Sequence, residues 1–397
     1  MTREINTALS RRNWLRTSLI AGGALLAGFD RLAWSLTSRT DTKNPFRGGK
    51  KLGVVGFVGE LPIEMGAVIG AELDGRLYSD LSSLTPEDPV TRTTNFYLRT
   101  CASNLLEGDR PWVIRLGGLM REPTPITLAR LKAMEQPMGV HLMECAGNTR
   151  EFHFGLMSAA SWTGVPISDV LKSLSIEPRA TRVLVSGFDK YQATSATSRP
   201  GASWIFKPDE LTSSRAFLAT QMNGEPLTRD HGAPVRLVVP GWYGCACIKW
   251  VDEITLVADD APATSQMQEY AARTHQQGVP ELARDFRPAI IQHAAMPIRV
   301  ERWSVNNAIM YRIVGILWGG LQRVRVLEIR FNPEYDYVLV DHLDQTDQDS
   351  WSFWTHAWTP QKPGSYLIRL RVKDPIVPTA RLDAGYYVRA VDIAERG

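Results

Sequence analysis

The chain has little cysteine: four thiols in 397 residues, at 101, 145, 245 and 247. That is too few for a disulfide framework, and no Cys-x-x-Cys-His run encodes a covalently attached haem. It also lacks any block of Lys or Arg. A net charge of +3 and a pI near 8.6 exclude a nucleic-acid-binding stripe. No internal repeat or low-complexity tract is present. The longest apolar run near the N-terminus, residues 19–29, matches a signal h-region and is too short to span a bilayer. What remains is ordinary globular composition, 44% apolar and 22% charged, long enough for two or three cores.

The first 40 residues read as a targeting segment and linker. Arg11 and Arg12, followed by Trp14-Leu15 and the apolar run, resemble a twin-arginine signal. Residues 41–51 are polar and rich in Gly and Lys, which reads as linker.

From about 52 to 259 the pattern is mixed. Strands are expected at 182–186 and 235–239, and a helix from Pro166 with Ile167, Val170 and Leu171 on one face. Asn223-Gly224 signals a hairpin. Strands and helices do not alternate regularly, so the fold class is α+β. Residues 260–290 form a polar, partly helical connection. Beyond 297, alternating runs at 309–314, 324–330 and 366–372, separated by Gly/Pro turns, predict a β-sandwich of about 100 residues.

Chemistry concentrates in two places. The first is Cys145-Ala-Gly-Asn-Thr-Arg150, at the end of a strand-like run. A thiolate is a soft metal ligand, and a fixed positive charge beside it favours the thiolate. Alone, the segment is equally a buried structural cysteine before a turn, with Gly147 permitting the turn. The second is residues 222–250. Arg229, His231, Arg236 and Lys249 fall within about twenty residues of glycine-rich sequence, which suits a phosphorylated heteroaromatic cofactor.

Taken together, Cys-Ala-Gly-Asn with Arg150, Ala160-Ser-Trp-Thr-Gly-Val-Pro-Ile, the segment 222–236 and Ile248-Lys-Trp250 resemble the sulfite oxidase family of molybdopterin enzymes. The order and spacing match over roughly 50–395. The resemblance implies a mixed α/β molybdopterin domain over 41–285 and an immunoglobulin-like dimerisation sandwich over 286–397. It implies molybdenum held by molybdopterin, with Cys145 as the thiolate ligand. Arg99 and Arg150 would line the substrate pocket. Cys101, His231, Arg229, Arg236 and Lys249 would contact the pterin or its phosphate.

Two departures stand out. The family's active-site tyrosine has no clean counterpart, although Tyr270 lies in the right region. The arginine that relatives supply from the sandwich is missing from Ser350-Trp-Ser-Phe-Trp-Thr-His-Ala-Trp358, so His356 or the tryptophans are candidates to face the pocket. The expected activity is oxygen-atom transfer on sulfite or a related small oxyanion or sulfur compound. The expected location is the periplasm, and electrons would pass to or from a separate protein such as a c-type cytochrome. A homodimer through the tryptophan-rich sandwich is expected. The same departures leave open a reductase or dehydrogenase for another sulfur or oxo substrate, or a non-catalytic binding protein. Substrate and direction of electron flow are not written in the sequence.

Overall fold

A computed structural model describes residues 44–102, 106, 111–191, 202–332, 336–344 and 349–394. The arginine pair at 11–12 lies outside the described residues. The α+β expectation is met in a sheet-dominated form: among the described residues the longest helices, Ile167–Lys172 and Pro208–Ser213, have six residues. No described helix is long and apolar enough to cross a membrane.

Two five-stranded sheets carry the middle of the chain. One runs Ser203–Phe206, Arg182–Gly187, Val251–Val257, Val113–Gly118 and Ile126–Thr127, with a parallel pair between the third and fourth. The other orders Glu225–Pro226, Phe217–Met222, Met157–Pro166 and Gln136–Glu144, with Arg236–Val238 also on Phe217–Met222. Local chemistry sets several boundaries as expected. Asn223 and Gly224 adopt φ of 54° and 80°, the left-handed pair that a tight hairpin needs, and Met222 faces Glu225. Pro166 caps Ile167–Lys172, which buries Ile167, Val170 and Leu171. One large core fills the space between these sheets and the segments around them.

Two further five-stranded sheets form the C-terminal sandwich. The first orders Lys50–Val55, Ala294–Val305, Ala308–Trp318, Ser352–Trp358 and His342–Leu343. The second orders Phe57–Val58, Arg389–Ile393, Gly364–Val372, Leu327–Asn332 and Val338–Leu339. Apolar residues of both sheets, including Ile313, Trp354, Ile329 and Ile368, make one shared core.

Two corrections follow. Residues 50–51, expected in a linker, begin an edge strand paired to Ala294–Val305. Its side chains are mostly exposed, so it carries no alternating apolar signature. Most of the sandwich tryptophans belong to the core: Trp318, Trp351 and Trp354 are each 1% exposed and Trp358 is 6%, while Trp303 is half-buried.

Candidate active site around Cys145

The strand Gln136–Glu144 delivers Cys145 at its end, and a short loop turns the chain away. Cys145 donates its amide to Leu156 O at 2.9 Å, and its carbonyl accepts from Asn148 N at 3.0 Å. Asn148, fully buried, accepts Leu156 N on Oδ1 at 3.1 Å. The asparagine therefore closes the loop that aims the thiol, a mechanical reason for Cys-Ala-Gly-Asn. Gly147 N donates to Cys145 Sγ at 3.4 Å.

The thiol opens on a cavity lined by Phe96, Tyr97, Arg99, Met143, Cys245 and Cys247, among others. Burial pushes its pKa up, while Arg99, the Gly147 amide and Arg273 pull it down. A metal held by Cys145 would supply the remaining deprotonation, because a bound cation stabilises the thiolate directly.

The same cavity is lined by His231, Arg236 and Lys249. Gly232 has φ of +106°, and a Cβ there would stand 3.1 Å from the Lys249 Cβ, so only glycine lets this loop pass. His231 Nε2 lies 3.1 Å from Phe96 O and Nδ1 2.7 Å from Thr228 Oγ1. A carbonyl only accepts, so Nε2 carries the proton and Nδ1 accepts from the threonine. Burial, with Arg236 and Lys249 nearby, pushes this histidine down to about 4. Lys249 Nζ donates to the carbonyls of Thr100 and Asp230 and lies 4.3 Å from the Trp250 ring centroid. Its pKa is lowered by burial and by Arg236, and that of Asp189 on the same wall is raised by burial.

Other expected residues lie elsewhere. Arg150 is exposed and does not line the cavity; Arg273, also exposed and outside that lining, is an arginine whose charge reaches the thiol. Cys101 packs in a small cluster with Leu77 and Leu98. Arg229 lines a separate groove with Trp112, Pro234 and Trp250. Trp351 and Trp354 donate to Pro89 O and Ile316 O, and His356 lies beside Asp341, so none faces the cavity.

Tyr270, left open by the sequence, does line it, and Arg273 lies 5.6 Å from its ring centroid. Tyr97, Asp189 and Arg273 were missed. The only signal for Arg273 was its three-residue spacing from Tyr270, at the C-terminal end of helix Ser265–Glu269.

These residues fit an anionic, metal-bearing cofactor. Arg236 is 4% exposed, donates only to His231 O, Met143 Sδ and Cys247 O, and its Nε has no partner. A buried guanidinium without a carboxylate is costly unless an anion completes it.

The comparisons agree. Residues 104–265 match the oxidoreductase molybdopterin binding domain. Nitrate reductase (NADPH) of Aspergillus niger is 31% identical over 213 residues, 49% of this chain and 23% of that protein. Mitochondrial sulfite oxidase of Drosophila melanogaster is 27% identical over 201 residues, 47% of this chain and 34% of that protein. The matches thus span a quarter to a third of these relatives. The crystal structure of the sulfane dehydrogenase SoxCD from Paracoccus pantotrophus shares the fold, with TM-score 0.63 at 15% identity, over 83% of this chain and 89% of that one.

Residues 104–265 thus form an oxidoreductase domain of the kind whose cofactor is molybdenum held by molybdopterin. Over that domain the chain is similar to nitrate reductases and to mitochondrial sulfite oxidases.

Proposed function

We propose that this protein catalyses oxygen-atom transfer on sulfite or a related small sulfur compound. The observation that carries this is the set of groups at one cavity: Arg99, Arg236, Lys249 and the neutral His231 line it, and the Arg273 guanidinium reaches the Cys145 loop at Gly147. Cys145 would hold molybdenum, and Arg236, Lys249 and His231 the pterin and its phosphate. When bound, the cofactor supplies the two-electron redox chemistry and the oxygen-transfer centre.

The protein's own share is electrostatic. Arg99 and Arg273 draw an anion toward Cys145 and stabilise charge that develops there. The Tyr270 hydroxyl, raised in pKa by burial and by Cys145, stays protonated and donates to a substrate oxygen. In the sulfite direction the substrate gains one oxygen derived from water and releases two protons and two electrons. The electrons leave one at a time to a separate carrier such as a c-type cytochrome. Export by Arg11 and Arg12 would put the enzyme in the periplasm. A homodimer through the sandwich is supported by exposed Leu52 and Val54 on its edge strand.

A second reading is a reductase or dehydrogenase for another sulfur or oxo substrate. The absence of any cavity-lining residue from Ser352–Trp358 favours it, because that strand adds no charge to the site. Elemental analysis and dye-coupled assays with sulfite, thiosulfate and sulfoxides separate the readings. Sulfite turnover lost in Cys145→Ser supports the first, and turnover of sulfoxides alone supports the second. A protein free of molybdenum after expression with molybdate would refute both.

A further inference from the structure

Glu144, the residue before Cys145, is fully buried. Its Oε1 accepts from Arg381 Nη1 at 3.1 Å and from Tyr387 OH at 2.9 Å, and its Oε2 accepts from Trp318 Nε1 at 3.0 Å. Arg381 comes from the C-terminal helix Ala380–Asp383. It also donates to Tyr243 OH at 2.8 Å and lies 4.6 and 4.7 Å from the ring centroids of Tyr386 and Tyr387. Tyr386 OH in turn donates to the carbonyl of Asn148 in the thiol loop. Neither Glu144 nor Arg381 lines the cavity.

We propose that Arg381 is a positioning residue that neutralises Glu144 directly behind the thiolate and so sets the reduction potential of the metal held there. This rests on Cys145 holding molybdenum. Hydrogen bonding alone does not require a charged pair. With Arg381 also replaced, a glutamine at 144 could accept from Trp318 Nε1 on its oxygen and donate its amide to the Tyr387 hydroxyl oxygen, and a buried ion pair is seldom more stable than a neutral isostere. The charges do differ electrostatically. An uncompensated anion one residue from the thiolate favours the more oxidised metal, whereas the pair leaves only a weak residual field. Burial keeps that field from being screened by salt.

The test is a potentiometric titration followed by the Mo(V) paramagnetic resonance signal, on wild type, Arg381→Met, Glu144→Gln and the double variant. Arg381→Met should move the Mo(VI)/Mo(V) midpoint to lower potential. The expected change is ten-fold or more in the oxidised-to-reduced ratio, about 59 mV for one electron. Glu144→Gln should move it the other way, and the double variant should return close to wild type. Should Arg381→Met fail to fold, the latter two carry the comparison, because neither leaves a buried anion unpaired. Unchanged midpoints in the single variants, with molybdenum bound, would overturn the proposal. Wild-type protein without molybdenum overturns the cofactor reading and this proposal with it.

Discussion

The Arg273 guanidinium occupies the space beside Gly147: a Cβ added at residue 147 would stand 3.3 Å from its Nη1 and 3.8 Å from Cys145 Sγ. Gly147 is not among the positive-φ residues, so the glycine serves close approach rather than a special turn. Replacing Arg273 with Met should raise KM for an anionic substrate about ten-fold, the loss of one charge-assisted hydrogen bond. Gly147→Ala should shift the guanidinium and raise KM by less, with little loss of thermal stability. Steady-state kinetics on the two variants check this, and an unchanged KM in Arg273→Met would remove that arginine from the site.

Arg99 and Arg150 look alike in sequence and differ in place. Arg99 lines the cavity and is the strongest charge acting on the Cys145 thiol. Arg150 is exposed, and its charge is felt at Arg389. Arg99→Met should therefore raise KM for sulfite by about ten-fold or more, while Arg150→Met leaves both KM and stability nearly unchanged, within about 0.5 kcal/mol. Equal effects from the two substitutions would place Arg150 back at the substrate.

The contrast shows what the sequence made legible. Cys145, His231, Arg236 and Lys249 sit in two short runs that each carry a chemical signal, but it is the resemblance to the sulfite oxidase family, not spacing, that assigns them to one site. Arg273 and Asp189 arrive from segments with no local signature, joined to the site only through tertiary packing. Cys101, Arg150 and Arg229 share motifs with true lining residues, but the backbone carries their side chains elsewhere. The fold divides the same way. The Asn223-Gly224 hairpin follows from local φ preferences. The edge strand Lys50–Val55 pairs with a partner roughly 250 residues on and leaves most of its side chains in solvent, so no pattern betrays it.

The sandwich core depends on one close approach. A Cβ on Gly315 would stand 2.1 Å from Trp354 Cζ2 and 2.5 Å from Met296 O. Neither the indole nor the neighbouring strand's carbonyl can move without breaking the ladder between Ala294–Val305 and Ala308–Trp318. Gly315→Ala should destabilise the protein by about 1–3 kcal/mol or more through overpacking. It should leave the molybdenum content of the folded fraction unchanged. Thermal denaturation monitored by tryptophan fluorescence measures this, and a melting temperature equal to wild type would mean that Trp354 has room the structure does not show.

The buried, neutral His231 gives the fold a pH dependence whose sign is fixed. In the folded chain this group takes a proton only near pH 4, whereas in the unfolded chain it does so near its ordinary value of about 6.5. Between those limits the unfolded state binds the extra proton, so stability falls as pH drops through the window and is fully present above it. The loss attributable to this one group is on the order of 3 kcal/mol by pH 4. His231→Gln isolates the effect. A glutamine amide can donate to Phe96 O and accept from Thr228 Oγ1, as the imidazole does, yet it does not titrate. Urea denaturation of holoenzyme at closely spaced pH values from 7 to 4 should give a visibly shallower decline for the variant. Parallel curves for the two proteins would show that His231 does not carry the acid sensitivity of this fold.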